Sequence, residues 1–435
     1  MLKELPENWV ETELGKITSK PQYGWTTKSA ETGSIKYLRT TDLTRGEINW
    51  ETVPYCLKEP DKLSKYQLFN KDILISRAGS VGVSYRIINP PPDSVFASYL
   101  IRFRAIKDNS KFIEYFLKSP LYWKSISTIS SGIAVQNINA TKLSNLELPL
   151  PPTAEQERIV AKLDDLFSRL DKIKASLDKI PFLLKNFRQQ VLTQAVTGKL
   201  TEEWRKGKDL EEWEEKLMKN ACEKVQSGGT PKGSKFETEG IPFFKVYNIV
   251  DQKISFDYKP QFISREIQDS QCKKSISYAG DVLMNIVGPP LNKVAIIPHT
   301  FPECNINQAI TLFRPNENLL NKYLYYFLRE GSPVNSLINE TRGVVGQVNI
   351  SLTQCRNFKI KIPPIKEQKE IVNRVESLFA KADAIQQKYE VLKAKIEQLP
   401  QAILHKAFKG ELVPQLESDG DAKDLLKEIK KLRVK

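Results

Sequence analysis

The chain is written twice. Pro151-Pro152-Thr153-Ala154-Glu155-Gln156-Glu157-Arg158-Ile159-Val160 returns 212 positions later as Pro363-Pro364-Ile365-Lys366-Glu367-Gln368-Lys369-Glu370-Ile371-Val372. The register then holds without a gap through Leu166-Phe167 and Leu378-Phe379 to Gly198 and Gly410. Ahead of each block the likeness is looser. Trp9 matches Trp213, Asp72-Ile73-Leu74 matches Asp281-Val282-Leu283, Phe103-Arg104 matches Phe313-Arg314, and Tyr115-Phe116-Leu117 matches Tyr326-Phe327-Leu328. Gly132 and Gln136 match Gly343 and Gln347. Two copies of one structural unit follow from such a repeat. The order is variable domain, constant segment, variable domain, constant segment. The constant parts read as structure, the variable parts as two readers of different things.

The constant segments carry a helical seam. The first places apolar residues at Ile159, Leu163, Leu166, Leu170, Ile173, Leu177, Ile180, Leu184, Phe187 and Val191. The second places Ile371, Val375, Leu378, Ala382, Ile385, Tyr389, Leu392, Ile396, Leu399 and Ile403 at the matching positions. Spacing that alternates four and three predicts a coiled-coil pair. The connections leave room for an antiparallel arrangement. Pro-Pro sets each helix entry, and Gly198 and Gly410 are placed as C-terminal stops. Pro181 and Pro400 each follow a seam position and predict a kink or a break.

The variable segments read as α/β modules. Short apolar runs at Ile35–Leu38, Ile73–Ser76 and Tyr99–Phe103 predict strands, as do Pro242–Val246, Val282–Ile286, Val294–Ile297 and Ile310–Phe313. An amphipathic helix follows near Phe112–Lys118 and again near Tyr323–Arg329. The expected architecture is α/β: two α/β domains in tandem, separated and joined by two long antiparallel coiled-coil helices with a pseudo-twofold internal repeat. Its expected boundaries are a first domain at 1–150, a first helix region at 151–205, a second domain at 206–362, and a second helix region with a tail at 363–435.

Charge narrows the partner. Lys plus Arg is 66 against 52 Asp plus Glu, a formal net charge of +14, which favours a polyanion. Polar loop clusters recur at corresponding places. In the first domain the candidates are Arg39, Thr41, Asp42, Arg77, Ser80 and Gln136; in the second they are Lys245, Asn248, Asn285, Lys293, Arg342 and Gln347. These residue types carry the donors and acceptors that read base edges, and the glycines among them let backbone approach closely.

Catalytic chemistry is poorly provided for. Asn89-Pro90-Pro91-Pro92 approaches the Asn-Pro-Pro-aromatic motif of adenine methyltransferases but ends in a proline that cannot stack on a flipped base. Gly228 to Lys235 imitates a phosphate-binding loop, yet Ser234 precedes Lys235 and Pro231 removes an N–H. With only His299 and His405, and no Cys-x-x-Cys pair among five cysteines, no metal site is expected. No apolar run reaches the roughly 18–20 residues that span a bilayer. A polar start and these features give the expectation of a soluble, cytoplasmic protein without a membrane partner.

Tandem variable domains, each followed by a helix opening with Pro-Pro-x-x-Glu-Gln, resemble the type I restriction–modification specificity subunit, the HsdS family. The stretch from Leu148 to Phe167 carries the likeness most specifically, and Asp72 to Gly82 supports it. The second copy departs at Asn285-Ile286-Val287-Gly288-Pro289-Pro290. The resemblance implies that each variable segment is a target-recognition domain binding one half of a bipartite sequence in double-stranded DNA, with the helices setting the gap. It also implies two methyltransferase subunits and further restriction subunits as partners. S-adenosylmethionine, ATP and magnesium would belong to those partners, leaving this chain without catalysis or cofactor. A lone methyltransferase and a coiled-coil adaptor that never touches DNA are the rival classes.

Overall fold

The structure, a computed structural model, describes residues 5–43, 47–130, 137–233, 236–340 and 349–434. It divides into two compact units. The first takes Met1–Leu177 together with Val391–Lys435, and the second is the continuous stretch Asp178–Glu390.

Both units use one topology. In the first, an antiparallel sheet runs in the order Gln22–Tyr23, Leu100–Phe103, Ile73–Ser76, Ser84–Arg86. In the second, the same order is Cys222–Ser227, Ile310–Pro315, Val282–Asn285, Val294–Ile296. Each unit adds a second sheet built on one parallel pair, Lys36–Leu38 with Ser94–Phe96 and Ile241–Phe244 with Glu303–Ile306. An antiparallel clasp joins each domain's first strand to its last, Val10–Glu13 to Glu147–Leu150 and Glu214–Leu217 to Lys359–Ile362.

The apolar runs at Ile73–Ser76 and Val282–Asn285 are continuous because both strand faces are covered. Side chains alternate across a strand. Ile73 and Ile75 face a helical layer with Phe112, Phe116 and Tyr122, while Leu74 faces the second sheet through Leu38 and Phe96. Val282 and Met284 pack with Tyr323 and Phe327, while Leu283 packs with Phe244 and Ile306. The expected helices are Ser110–Phe116 and Asn321–Glu330. The repeated Asp and Arg form one two-pronged ion pair per unit, between a buried aspartate and a partly exposed arginine. Arg104 reaches Asp72 at 2.6 and 3.1 Å, and Arg314 reaches Asp281 at 2.9 and 2.7 Å.

The constant segments form helices Thr153–Leu177, Ile180–Val196 and Ile365–Ala407. In the first unit, Ile159 and Leu163 from the start of one helix share a core with Leu404, Ala407 and Phe408 at the end of another. In the second unit, Val191, Leu192 and Ala195 share a core with Ile371, Val372 and Val375. Start meets end in each unit, the order in which an antiparallel pair meets. The two prolines behave differently. Pro181 enters at the first turn of a new helix after a break at 178–179, whereas Pro400 lies within a continuous helix. Gly198 and Gly410 follow the helix ends with φ of 79° and 77°, the left-handed turn that glycine adopts at no steric cost.

The seam is less uniform than its spacing predicts. Ile159, Leu163, Leu170, Ile371 and Val375 are buried, and Leu166 and Leu378 are half-buried. Ile173 and Ile385 are instead 44% and 49% exposed, so they correct the expected seam. Near both ends of each seam a domain core packs against it; between them alternate positions stay open to solvent.

The Glu-Gln of each helix opening has a defined task. Glu155 is fully buried and accepts hydrogen bonds from Trp9 Nε1 (2.9 Å), Asn8 Nδ2 (3.4 Å) and Gln415 Nε2 (3.0 Å). Glu367, also fully buried, accepts from Trp213 Nε1 (2.9 Å), Thr201 Oγ1 (2.6 Å) and the Arg205 guanidinium (2.5 Å). Gln156 and Gln368 each donate at 2.8 Å to the carbonyl of the first proline of their motif. Glu367→Ala leaves the Trp213 and Thr201 donors unanswered inside the fold. We expect it to destabilise the second unit by roughly 1–3 kcal/mol, read as a lower midpoint in thermal and urea melts.

Candidate nucleic-acid interface

The candidate loops of the first unit lie where strand Ile73–Ser76 ends. Arg77 N–H donates to the Tyr99 carbonyl (2.9 Å), and the Arg77 carbonyl accepts from Ile138 N–H (2.9 Å). Gly79 then turns with φ of 78°. The loop borders a concavity of about 610 Å³ lined by Thr40, Thr41, Ala78, Gly79, Ser80, Tyr99 and Asn137. The structure therefore brings Thr41 and Ser80 to one surface, with Arg77 bonded to the lining residue Asn137. Arg39 is tied to Asp42 through Nε (3.2 Å) and Nη2 (3.0 Å), and Asp42 also caps the Arg39 N–H (2.8 Å). This bond to Asp42 raises the Arg39 pKa above its ordinary value. Asp42 is thus the anchor that positions Arg39.

The second unit keeps the backbone frame and changes the side chains. Ile286 N–H donates to the Ala309 carbonyl (2.8 Å), its carbonyl accepts from Ile350 N–H (2.9 Å), and Gly288 turns with φ of 86°. Where the first unit has Arg77, this one has buried Ile286. Lys245 and Lys293 are half-buried cations here. Lys245 sits 4.5 Å from the Phe236 ring centroid, and burial lowers its pKa below the usual lysine value.

Two expected readers turn out to be internal. Asn285 is fully buried, donates to the Val287 (3.4 Å) and Pro290 (3.0 Å) carbonyls, and accepts from Lys293 N–H (2.8 Å). Asn248 is fully buried, donates to the Ser255 and Tyr258 carbonyls (3.1 and 3.3 Å), and accepts from Lys245 N–H (3.0 Å). Their polar groups lock loops and leave nothing for a base edge, which corrects both assignments. Gln136, Arg342 and Gln347 lie outside the described residues.

Other surface groups had not been singled out. Tyr99, 61% exposed, was hidden at the head of an apolar run that begins its strand only at Leu100. In the second unit Tyr258 is exposed beside Lys259, whose φ is 50°. Among the described residues no His, Cys, Asp and Glu group could hold a metal, and no helix is long and apolar enough to cross a membrane. All five cysteines are free and buried.

One module used twice, with polar and cationic loops at corresponding strand ends, is the class these features define. The sequence matches the family described as Type I restriction modification DNA specificity domain over residues 6–181 and again over 210–394. The chain belongs to that type I DNA specificity family. It is 30% identical to the type I restriction enzyme EcoKI specificity subunit of Escherichia coli K12, over 99% of this chain and 97% of that one. It is 29% identical to the StySPI specificity subunit of Salmonella potsdam, over 95% of this chain and 91% of that one. The crystal structure of the HsdS subunit from Thermoanaerobacter tengcongensis has the same fold, with a TM-score of 0.63 at 20% identity over 94% of this chain and 98% of that one.

Because Asn248 holds its loop rather than a base, Asn248→Ala should lower the thermal midpoint, at a cost of roughly 1–3 kcal/mol. The sequence the protein selects should stay the same. A shift in selected sequence at unchanged stability would reverse this assignment.

Proposed function

We propose that this chain is the non-catalytic DNA-reading subunit of a cytoplasmic type I restriction–modification complex, each domain binding one half of a bipartite target in double-stranded DNA. The family match over both halves carries this reading. The doubled topology supports it, since one pole of loops recurs on the same frame with different side chains. Lys and Arg supply the salt-dependent affinity for phosphate, and loop side chains supply selection at base edges.

Two methyltransferase subunits dock on the repeated surfaces, because a pseudo-twofold chain presents nearly the same surface twice. Restriction subunits join that core. S-adenosylmethionine, ATP and magnesium are bound by the partners, and the helices set the gap between half-sites.

Co-expression with a type I methyltransferase subunit that forms a soluble complex with it, followed by single-molecule mapping of adenine methylation, should yield one bipartite motif with a fixed gap. A soluble complex that methylates no such motif would overturn the reading in favour of an adaptor. Removing seven residues from both constant helices keeps the seam in phase. It should change the gap and leave both half-sites intact in the same assay; an unchanged gap would remove the helices from that role.

A further inference from the structure

The arginines at the reading pole of the first unit differ in what remains free on each fork. Arg39 spends Nε and Nη2 on Asp42. Farther back, Arg104 spends the same two groups on Asp72, and Arg102 donates to the Gln67 and Lys65 carbonyls. Arg77 is bound only on its inner side. Its Nε donates to Asn137 Oδ1 at 3.2 Å, and its guanidinium lies 5.0 Å from the Tyr23 ring centroid. Tyr23 is itself fixed: its strand pairs with Ile101 and Arg102, and its hydroxyl accepts from Ala140 N–H at 2.9 Å. Among the described residues, neither terminal nitrogen of Arg77 has a partner, and no carboxylate pairs with it.

The result is a planar fork with its backbone pinned on both sides, one face stacked and its inner N–H spent. A fork held this way suits two acceptors lying in one plane. Guanine presents such a pair in the major groove, O6 and N7. A phosphate can also accept from such a fork, but a flexible lysine binds it as a point charge, so a fork held rigidly in one orientation adds most where the acceptors belong to a base edge. The neighbourhood admits a base edge. Gly79 leaves open space where a side chain would stand, and the concavity beyond is walled by short hydroxyl side chains, Tyr99 and Asn137.

We propose that Arg77 reads a guanine in the half-site bound by the first unit, through its two terminal nitrogens to O6 and N7. The second unit, with Ile286 on the matching frame, has no such contact from this loop. The inference rests on the chain being a DNA reader.

The test uses the complex with its methyltransferase subunits and its mapped target. Each guanine of both half-sites is replaced in turn by 7-deazaguanine, which lacks the N7 acceptor, and affinity is measured by fluorescence anisotropy. One guanine should be sensitive, with a loss of about tenfold, within the roughly 5- to 150-fold that a bidentate base contact discriminates. Arg77→Ala and the charge-keeping Arg77→Lys should bind the normal target correspondingly less well and become indifferent to that replacement.

Absence of any sensitive guanine for the unaltered protein overturns the inference even if the variants fail to fold. Equal weakening of Arg77→Ala on target and unrelated duplexes overturns it too, since that marks a phosphate contact. Either outcome leaves DNA reading intact. Failure to find any fixed-gap motif would instead overturn the function itself.

Discussion

A buried carboxylate in the first turn of each constant helix is the tie on which both units depend. The start of a helix is its positive end, where a carboxylate is favoured, but full burial still demands hydrogen-bond partners. Those partners come from segments remote in sequence. Glu155 gathers the domain's opening residues Asn8 and Trp9 and the tail residue Gln415. Glu367 gathers Trp213 at the start of its own domain and Thr201 and Arg205 from the connection before it. One acid thus fixes domain, helix and returning chain together. The partners are neutral amides and an indole in one unit, and include a guanidinium in the other. The identical motif is satisfied by different chemistry.

Much of this was legible because repetition amplifies weak signals. The Asp and Arg that pair in each sheet were visible as matched positions, although nothing in either copy alone announced an ion pair. The strands Ile73–Ser76 and Val282–Asn285 were legible as apolar runs, and their burial on both faces explains why they do not alternate. The clasp Val10–Glu13 with Glu147–Leu150 was not. Its opening strand Val-Glu-Thr-Glu is largely polar, and only its partner places it. The seam was read too generously at Ile173 and Ile385, because spacing reports which residues share a helix face and not how many neighbours cover it.

The reading surface was legible by residue type and less so by residue. Arg77 stands where a polar loop was expected, but its stacking on Tyr23 joins positions 54 apart that no local pattern connects. Asn248 and Asn285 illustrate the opposite limit. The side-chain amide that can read a base is equally good at closing a turn, and burial alone separates the two uses. Tyr99 was taken as strand because its neighbours are strand.

The first unit is assembled from both sides of the second. Its core needs Phe408, whose ring meets those of Phe112 and Phe116 at tilted and edge-on angles, and the later helix Ala422–Val434, whose Ala422 N–H donates to the Asn8 carbonyl. On a ribosome, residues up to 177 therefore emerge first yet wait for a layer made last, while the uninterrupted second unit completes itself in between. Order of synthesis and order of completion are reversed. Helix Ile365–Ala407, leaving the finished unit, carries the missing layer back to the unfinished one.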